Sequence, residues 1–145
     1  MQTSGLNHVI LTVSSTERSC AFYVDLLGFP VIVIEEDPDK SFLFTSGGVQ
    51  FFFFPSRKPV QNDRFSEFRI GLDHLSFTAP SKEALRELAD QLIAAGVDTK
   101  GVEQFQPTGN WYVSFRDPDN IQLEYWLPWS LLQIICWRKF ESTYL

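Results

Sequence analysis

This 145-residue sequence predicts an α+β fold built from two tandem βαβββ modules, and three observations carry that prediction. First, Gly5-Leu6-Asn7-His8 is restated as Gly71-Leu72-Asp73-His74, just under half a chain length later. The echo runs on. His8-Val9-Ile10-Leu11-Thr12 is answered by His74-Leu75-Ser76-Phe77-Thr78, and Ser15-Thr16-Glu17 by Ser81-Lys82-Glu83. Second, each opening is followed by one helical pattern and then three short runs with β patterning. Third, the chain has only two histidines, and they hold the same place in the two copies. A repeat of this length is one supersecondary unit, copied so that two faces can cover each other. A solenoid needs more copies than two, so a single domain over residues 1–145 follows.

Module one spans residues 5–55. Asn7 to Val13 is rich in β-branched residues and reads as a strand. Val9, Leu11 and Val13 form its apolar face, which leaves His8, Ile10 and Thr12 on the other. Ser14 or Ser15 caps a helix whose first turn carries Glu17, suited to the positive end of the helix dipole. Cys20, Val24 and Leu27, joined by Ala21, form its predicted buried stripe, and Gly28 stops it. Pro30 to Glu35 is a second strand and Asp37-Pro38-Asp39-Lys40 a turn. Ser41 to Thr45 is the third strand, Ser46-Gly47-Gly48 a turn, and Val49 to Phe54 the fourth, ended by Pro55.

Residues 56–70 break the pattern. They carry Arg57, Lys58, Arg64 and Arg69 with few periodic apolar positions, and read as a solvated linker. Module two spans residues 71–126. Leu72 to Thr78 is a strand, and Pro80-Ser81 opens a helix with Leu85, Leu88, Ala89 and Leu92 on one stripe and Gly96 at its end. Val97 to Gln104 is a weak strand and Pro107 to Asn110 a loop. Trp111 to Arg116 and Ile121 to Trp126 are strands around the turn Asp117-Pro118-Asp119-Asn120. Residues 127–145 form an apolar extension, expected as a docking helix or extra strand against a partner subunit.

Composition narrows the class. The hydrophobic fraction is 44% and the net charge −6, with no basic run. That balance argues against nucleic acid or an anionic membrane as partner. A chain of this length buries roughly 68–70% of its unfolded surface, so it needs no cross-link merely to fold. Cys20 and Cys136 are too few for a disulfide framework. No signal pattern opens the chain and no apolar run reaches the ~18 residues of a membrane span, so a cytoplasmic protein is expected.

The sequence resembles the vicinal oxygen chelate superfamily, which takes in glyoxalase I, extradiol dioxygenases, fosfomycin-resistance enzymes and bleomycin-binding proteins. The resemblance rests on Gly5-Leu6-Asn7-His8, Ala21-Phe22-Tyr23-Val24-Asp25-Leu26-Leu27-Gly28-Phe29, Gly71-Leu72-Asp73-His74, and Phe115-Arg116-Asp117-Pro118-Asp119-Asn120 leading to Leu123-Glu124. It covers about residues 5–126. It implies a curved mixed sheet around a metal cavity, with ligands from the first and last strand of each module. Carried onto this chain, those positions are His8, His74 and Glu124.

The repeat locates the fourth position. Val49 to Phe54 aligns with Ile121 to Trp126, so Phe52 stands opposite Glu124. A carbon ring cannot ligate. The resemblance then implies a divalent ion (Fe, Mn, Ni or Zn) held by two histidines and one glutamate, with positions open to water or a small-molecule substrate. Glyoxalase I-like members carry a carboxylate or amide where Phe52 lies, which argues against glyoxalase I or epimerase activity. Dioxygenase, lyase or addition chemistry remains. Fosfomycin enzymes carry threonine two residues past the first histidine, where this chain has Ile10.

Glu124 lies in an otherwise apolar strand, and a buried lone carboxylate needs a metal, a cation or a proton. It is both a ligand and the candidate catalytic group. Phe52, Phe54 and Trp126 share its face and are expected to wall the substrate pocket, with Tyr112 and Ser114 from the neighbouring strand. Asp117 and Asp119 read as turn residues, and Arg57, Arg69 and Arg116 as solvated surface. The resemblance also implies a homodimer in which modules of two chains complete each site. The rival reading is a non-catalytic module of the bleomycin-binding type, sequestering a planar cationic ligand on the aromatic residues. A regulatory protein with a vestigial site is the third.

Overall fold

A computed structural model describes residues 2–129. The elements run β1 (His8–Val13), α1 (Thr16–Ala21) continued by a π-helical turn (Phe22–Leu26), β2 (Ile32–Val33), β3 (Phe42–Ser46), β4 (Val49–Pro55), β5 (Leu75–Thr78), α2 (Lys82–Ala94), β6 (Thr99–Phe105), β7 (Asn110–Arg116) and β8 (Gln122–Leu127). The paired βαβββ architecture is therefore present. The mixed sheet comes in two four-stranded halves, ordered β1-β4-β3-β2 and β5-β8-β7-β6. In each, the first and last strands of the module pair in parallel and the remaining pairs are antiparallel.

Local chemistry explains most elements. Gly47 and Gly48, at φ 57° and 81°, make the two-residue hairpin between β3 and β4, a turn that needs left-handed backbone at both positions. The α2 stripe is as predicted: Leu85, Leu88, Ala89 and Leu92 are buried, and the Ser81 hydroxyl accepts from the Ala84 amide at 3.1 Å. Ser81→Ala removes that cap and is expected to lower stability by about 1 kcal/mol in urea unfolding. An unchanged midpoint would show that the helix end is held by packing alone.

Three sequence expectations are corrected. The predicted second strand shrinks to Ile32–Val33, because Glu35 to Asp37 already turn back and the Ile34 amide bonds to the Ser41 carbonyl. The strand expected from Leu72 starts only at Leu75, which leaves His74 just outside the ladder. The buried stripe of α1 takes in only part of the Cys20, Ala21, Val24, Leu27 set, of which Cys20 and Leu27 pack partly buried against the core. Thr16, Ser19 and Tyr23 are buried there, and Ala21 is exposed. The π turn widens the spacing and rotates the face, and the phenol of Tyr23 finds a buried partner that a shorter side chain could not reach.

The core joins the two copies. Tyr23, Phe42, Phe44, Phe53, Leu85, Leu92, Val113 and Leu123 are fully buried. Phe77 of the second module packs against Phe29, Phe44 and Phe51 of the first at 5.3, 6.2 and 5.3 Å between ring centres. Polar contacts lock the same seam. The Tyr23 hydroxyl donates to Asp117 at 3.2 Å, and Asp117 Oδ1 accepts the amides of Asp119 and Ile121 at 2.9 and 2.8 Å. Asp119 takes the Ser14 amide at 2.9 Å and pairs with Arg18 at 3.1 Å. The aspartates are turn residues, as the sequence suggested, and they also bridge the modules.

The linker is pinned rather than free. The Phe65 amide bonds to the Asp119 carbonyl at 3.0 Å, and Arg116 forks onto both carboxylate oxygens of Glu67. Arg116 is thus a half-buried structural ion pair rather than solvated surface, while Arg69 pairs on the surface with Asp63 at 3.5 Å. Among the described residues no helix is long and apolar enough to cross a membrane. Of the extension expected over residues 127–145, Leu127 ends β8 and residues 130–145 lie outside the described residues.

Candidate metal and substrate site

Alternation along the strands sorts the site from the core. In module one, Leu11, Val13, Phe51 and Phe53 point inward and are buried. His8, Ile10, Thr12, Gln50, Phe52 and Phe54 therefore share the opposite face, in the register His8↔Gln50, Ile10↔Phe52 and Thr12↔Phe54. In module two, Phe77, Val113, Phe115 and Leu123 are buried. Ser76, Thr78, Tyr112, Ser114, Glu124 and Trp126 share the other face, with Ser76 and Ser114 on either side of Glu124.

His74 and Glu124 come together. His74 Nε2 lies 4.0 Å from Glu124 Oε1. Two ligand bonds of about 2.0–2.2 Å at a tetrahedral angle put their donor atoms about 3.4 Å apart, so a shift of about 0.6 Å brings both atoms onto one ion. The carboxylate is held in place by Ser76, whose hydroxyl donates to Oε1 at 2.9 Å. The other nitrogen of His74 is bonded to the Asp73 carboxylate, and His8 Nδ1 makes the matching contact to Asn7 Oδ1 at 2.8 Å. The donor set, imidazole plus carboxylate with open positions, fits a divalent first-row ion.

His8 does not join this pair within one chain. Among the described residues no three His, Cys, Asp or Glu side chains form a group able to hold an ion. Instead His8 stands edge-on to Phe52, with ring centres 5.9 Å apart. The internal alignment is instructive here. Where module two sets Ser76 beside Glu124, module one sets Ile10 beside Phe52. Both the carboxylate and its hydroxyl support are replaced by hydrocarbon, and the histidine is retained.

The expected pocket wall is partly assembled. Tyr112 stacks on Trp126 at 5.9 Å, and Phe105 closes on the same indole at 5.7 Å. Phe52 and Phe54 lie parallel at 6.2 Å. Ser114 faces Glu124 in register. Burial, and then the charges of Glu103 and Glu124, raise the Tyr112 pKa above its ordinary value, so the phenol keeps its proton and can donate.

Glu103 is a site-face residue that sequence reasoning missed. A register shift between Thr99 and Val102, with Gly101 at φ 77°, reverses the alternation of β6, so that Thr99 sits opposite buried Phe115 while Glu103 sits opposite Tyr112. Only the glycine hinted at that bulge. Asn7, Asp73 and Ser76 were missed as supports, although all three lie inside the repeated phrase.

Comparison with known proteins agrees with this architecture. Residues 5–125 match the family model of the Glyoxalase/Bleomycin resistance protein/Dioxygenase superfamily. The chain is 33% identical over 131 residues to the uncharacterized protein YwkD of Bacillus subtilis (strain 168), covering 86% of this chain and 97% of that protein. It is similar to a glyoxylase/bleomycin resistance protein/dioxygenase domain from Frankia sp. EAN1pec, with TM-score 0.74 and 32% identity over 88% of this chain and 100% of that one. The fosfomycin resistance protein FosX from Listeria monocytogenes shares the fold, with TM-score 0.68 and 22% identity over 91% of this chain and 98% of that one. A family match spanning both modules, on a fold with both copies in place, means that this chain belongs to the glyoxalase/bleomycin resistance protein/dioxygenase superfamily.

Proposed function

We propose that the protein is a divalent-metal-dependent enzyme acting on a small substrate chelated through oxygens, by dioxygenase, lyase or addition chemistry. The ion is held by His74 and Glu124 of one copy and His8 of a second copy in a homodimer. One observation carries the reading: a glutamate and a histidine on one sheet face, 4.0 Å apart, with the carboxylate supported by Ser76. The separation of His8 from that pair within one chain supports a site shared between two copies.

A bound ion supplies Lewis acidity, polarising a substrate oxygen where negative charge develops. The chain's own residues do the rest. Phe52, in the place of a fourth ligand, leaves a position open for the substrate. Tyr112 stays neutral and offers a hydrogen bond to a substrate oxygen rather than a second negative charge. Trp126, with Phe52 and Phe54, presents apolar surface that excludes water from the oxygen-binding end. Glu124 is the carboxylate that faces His74 Nε2 and the candidate proton carrier. Cytoplasmic location is part of the same proposal.

The test is elemental analysis of purified wild type beside His74→Ala. Stoichiometric Fe, Mn, Ni or Zn in the wild type and none in the variant is the expected result. A His74→Ala protein with full metal and full activity would overturn the site. A wild type that takes up none of the four ions on reloading, yet binds a planar cationic ligand, would establish the sequestering role instead.

A further inference from the structure

Both histidines are tethered in the same way, and the two tethers differ in one atom. His74 Nδ1 is bonded to Asp73 Oδ1, and His8 Nδ1 to Asn7 Oδ1, each the residue immediately before the histidine. Between the two copies the side chain changed from amide to carboxylate. What both copies kept is an acceptor oxygen at the same place. His74 also precedes β5, so no ladder pairing helps to orient its ring, whereas His8 is paired in β1 and packs on Phe52.

From these contacts we infer that Asp73 and Asn7 are positioning residues that fix each imidazole as the Nδ1–H tautomer, leaving the Nε2 lone pair free for the ion. A carboxylate can only accept, so Nδ1 of His74 carries a proton, and in the neutral ring Nε2, the atom that faces Glu124, is then bare. Free imidazole favours the opposite tautomer, with the proton on Nε2, which would block ligation at the atom turned toward the site. The amide of Asn7 can rotate to present its NH2 instead, so its hold on His8 is weaker. Asp73 therefore sets the stronger ligand and Asn7 the adjustable one. This inference rests on the metal reading proposed above and extends it to residues that touch neither ion nor substrate.

The test uses the metal-free full-length protein with 15N-labelled histidine, at about pH 8, above the ordinary histidine range. Only two imidazoles contribute, and His8→Ala assigns them. Wild-type His74 is expected to show the Nδ1–H signature. Asp73→Ala is expected to move His74 to the Nε2–H form and leave His8 unchanged, and to weaken Zn(II) binding in a chelator competition roughly 10–100-fold. Asp73→Asn keeps an acceptor and is expected to fall between. The Asp73 side chain is 71% exposed, so the substitutions leave the fold intact. An Nε2–H His74 in a wild type that binds Zn(II), or an Asp73→Ala protein with unchanged tautomer and affinity, overturns the inference and leaves the metal site standing. A wild type with the Nδ1–H signature and no affinity for Zn(II) or the other ions overturns the metal reading, and with it the purpose assigned to Asp73.

Discussion

Co-expressing His8→Ala chains with His74→Ala chains is expected to restore metal sites at about a quarter of the wild-type level, although neither variant alone retains stoichiometric metal. The arithmetic follows from two-fold symmetry. Random pairing makes about half of the dimers mixed. In a mixed dimer one site combines both substitutions and is lost. The other combines the intact His8 of one chain with the intact His74 and Glu124 of its neighbour, and is whole. Metal content and activity should recover together. A site built within one chain gives no recovery at any ratio. The prediction grows from the one-chain geometry, in which His74 and Glu124 converge and His8 stands beside Phe52 on the other sheet.

Asp117 is the other place where a single residue has a large expected effect. It is 4% exposed, accepts two backbone amides and the Tyr23 hydroxyl, and joins the modules. Burial outweighs those hydrogen bonds and pushes its pKa up to about 6. A folded-state pKa raised above the unfolded value means that the folded protein holds the proton more tightly. The associated stability is present in full below pH ~4, where the unfolded carboxyl also binds its proton, and is lost as pH rises through about 6. The loss is on the order of 3 kcal/mol at neutral pH, from about 1.4 kcal/mol per unit. Urea unfolding of Asp117→Asn should be flat over that window. The amide oxygen keeps both backbone bonds, its NH2 meets the Tyr23 oxygen, and there is no charge to bury. Asp117→Ala should cost about 3–5 kcal/mol at acid pH, since two buried amides and a phenol lose their acceptor. Parallel pH profiles for wild type and Asp117→Asn would show that Asp117 binds its proton equally in the folded and unfolded states, and would overturn the raised pKa.

How much of this was legible beforehand depends on the range of the interaction. The repeat placed His8 and His74, the period of two split Phe51 and Phe53 from Phe52 and Phe54, and the heptad-like spacing of Leu85 to Leu92 fixed α2. These are local patterns, and local patterns survive in sequence. The phase of α1 did not survive, because a π turn changes the number of residues per turn without any compositional mark. Nor did the face of Glu103, because one bulge reverses every later position in its strand. The Tyr23–Asp117 bond links residues far apart in the chain, and nothing near either one announces the other. In the site, the ligand candidates came from the resemblance and the internal alignment together. Their supports, Asp73 and Ser76, became visible only as contacts.

The Asp117-Pro118-Asp119-Asn120 turn has a wider consequence. Its counterpart in module one, by the alignment of Val49 to Phe54 with Ile121 to Trp126, is Thr45-Ser46-Gly47-Gly48, a tight hairpin with no carboxylate to offer. The two copies therefore supply unlike halves of one contact, a phenol from the first and a carboxylate from the second. A chain assembled from two first modules would present Tyr23 with no carboxylate at that turn, and one assembled from two second modules would have Leu88 or Ala89, not a phenol, on the helix beneath it. A handful of polar atoms at the seam thus distinguishes the copies, and their outer sheet faces differ as well, with Ile10 and Phe52 on one and Ser76 and Glu124 on the other.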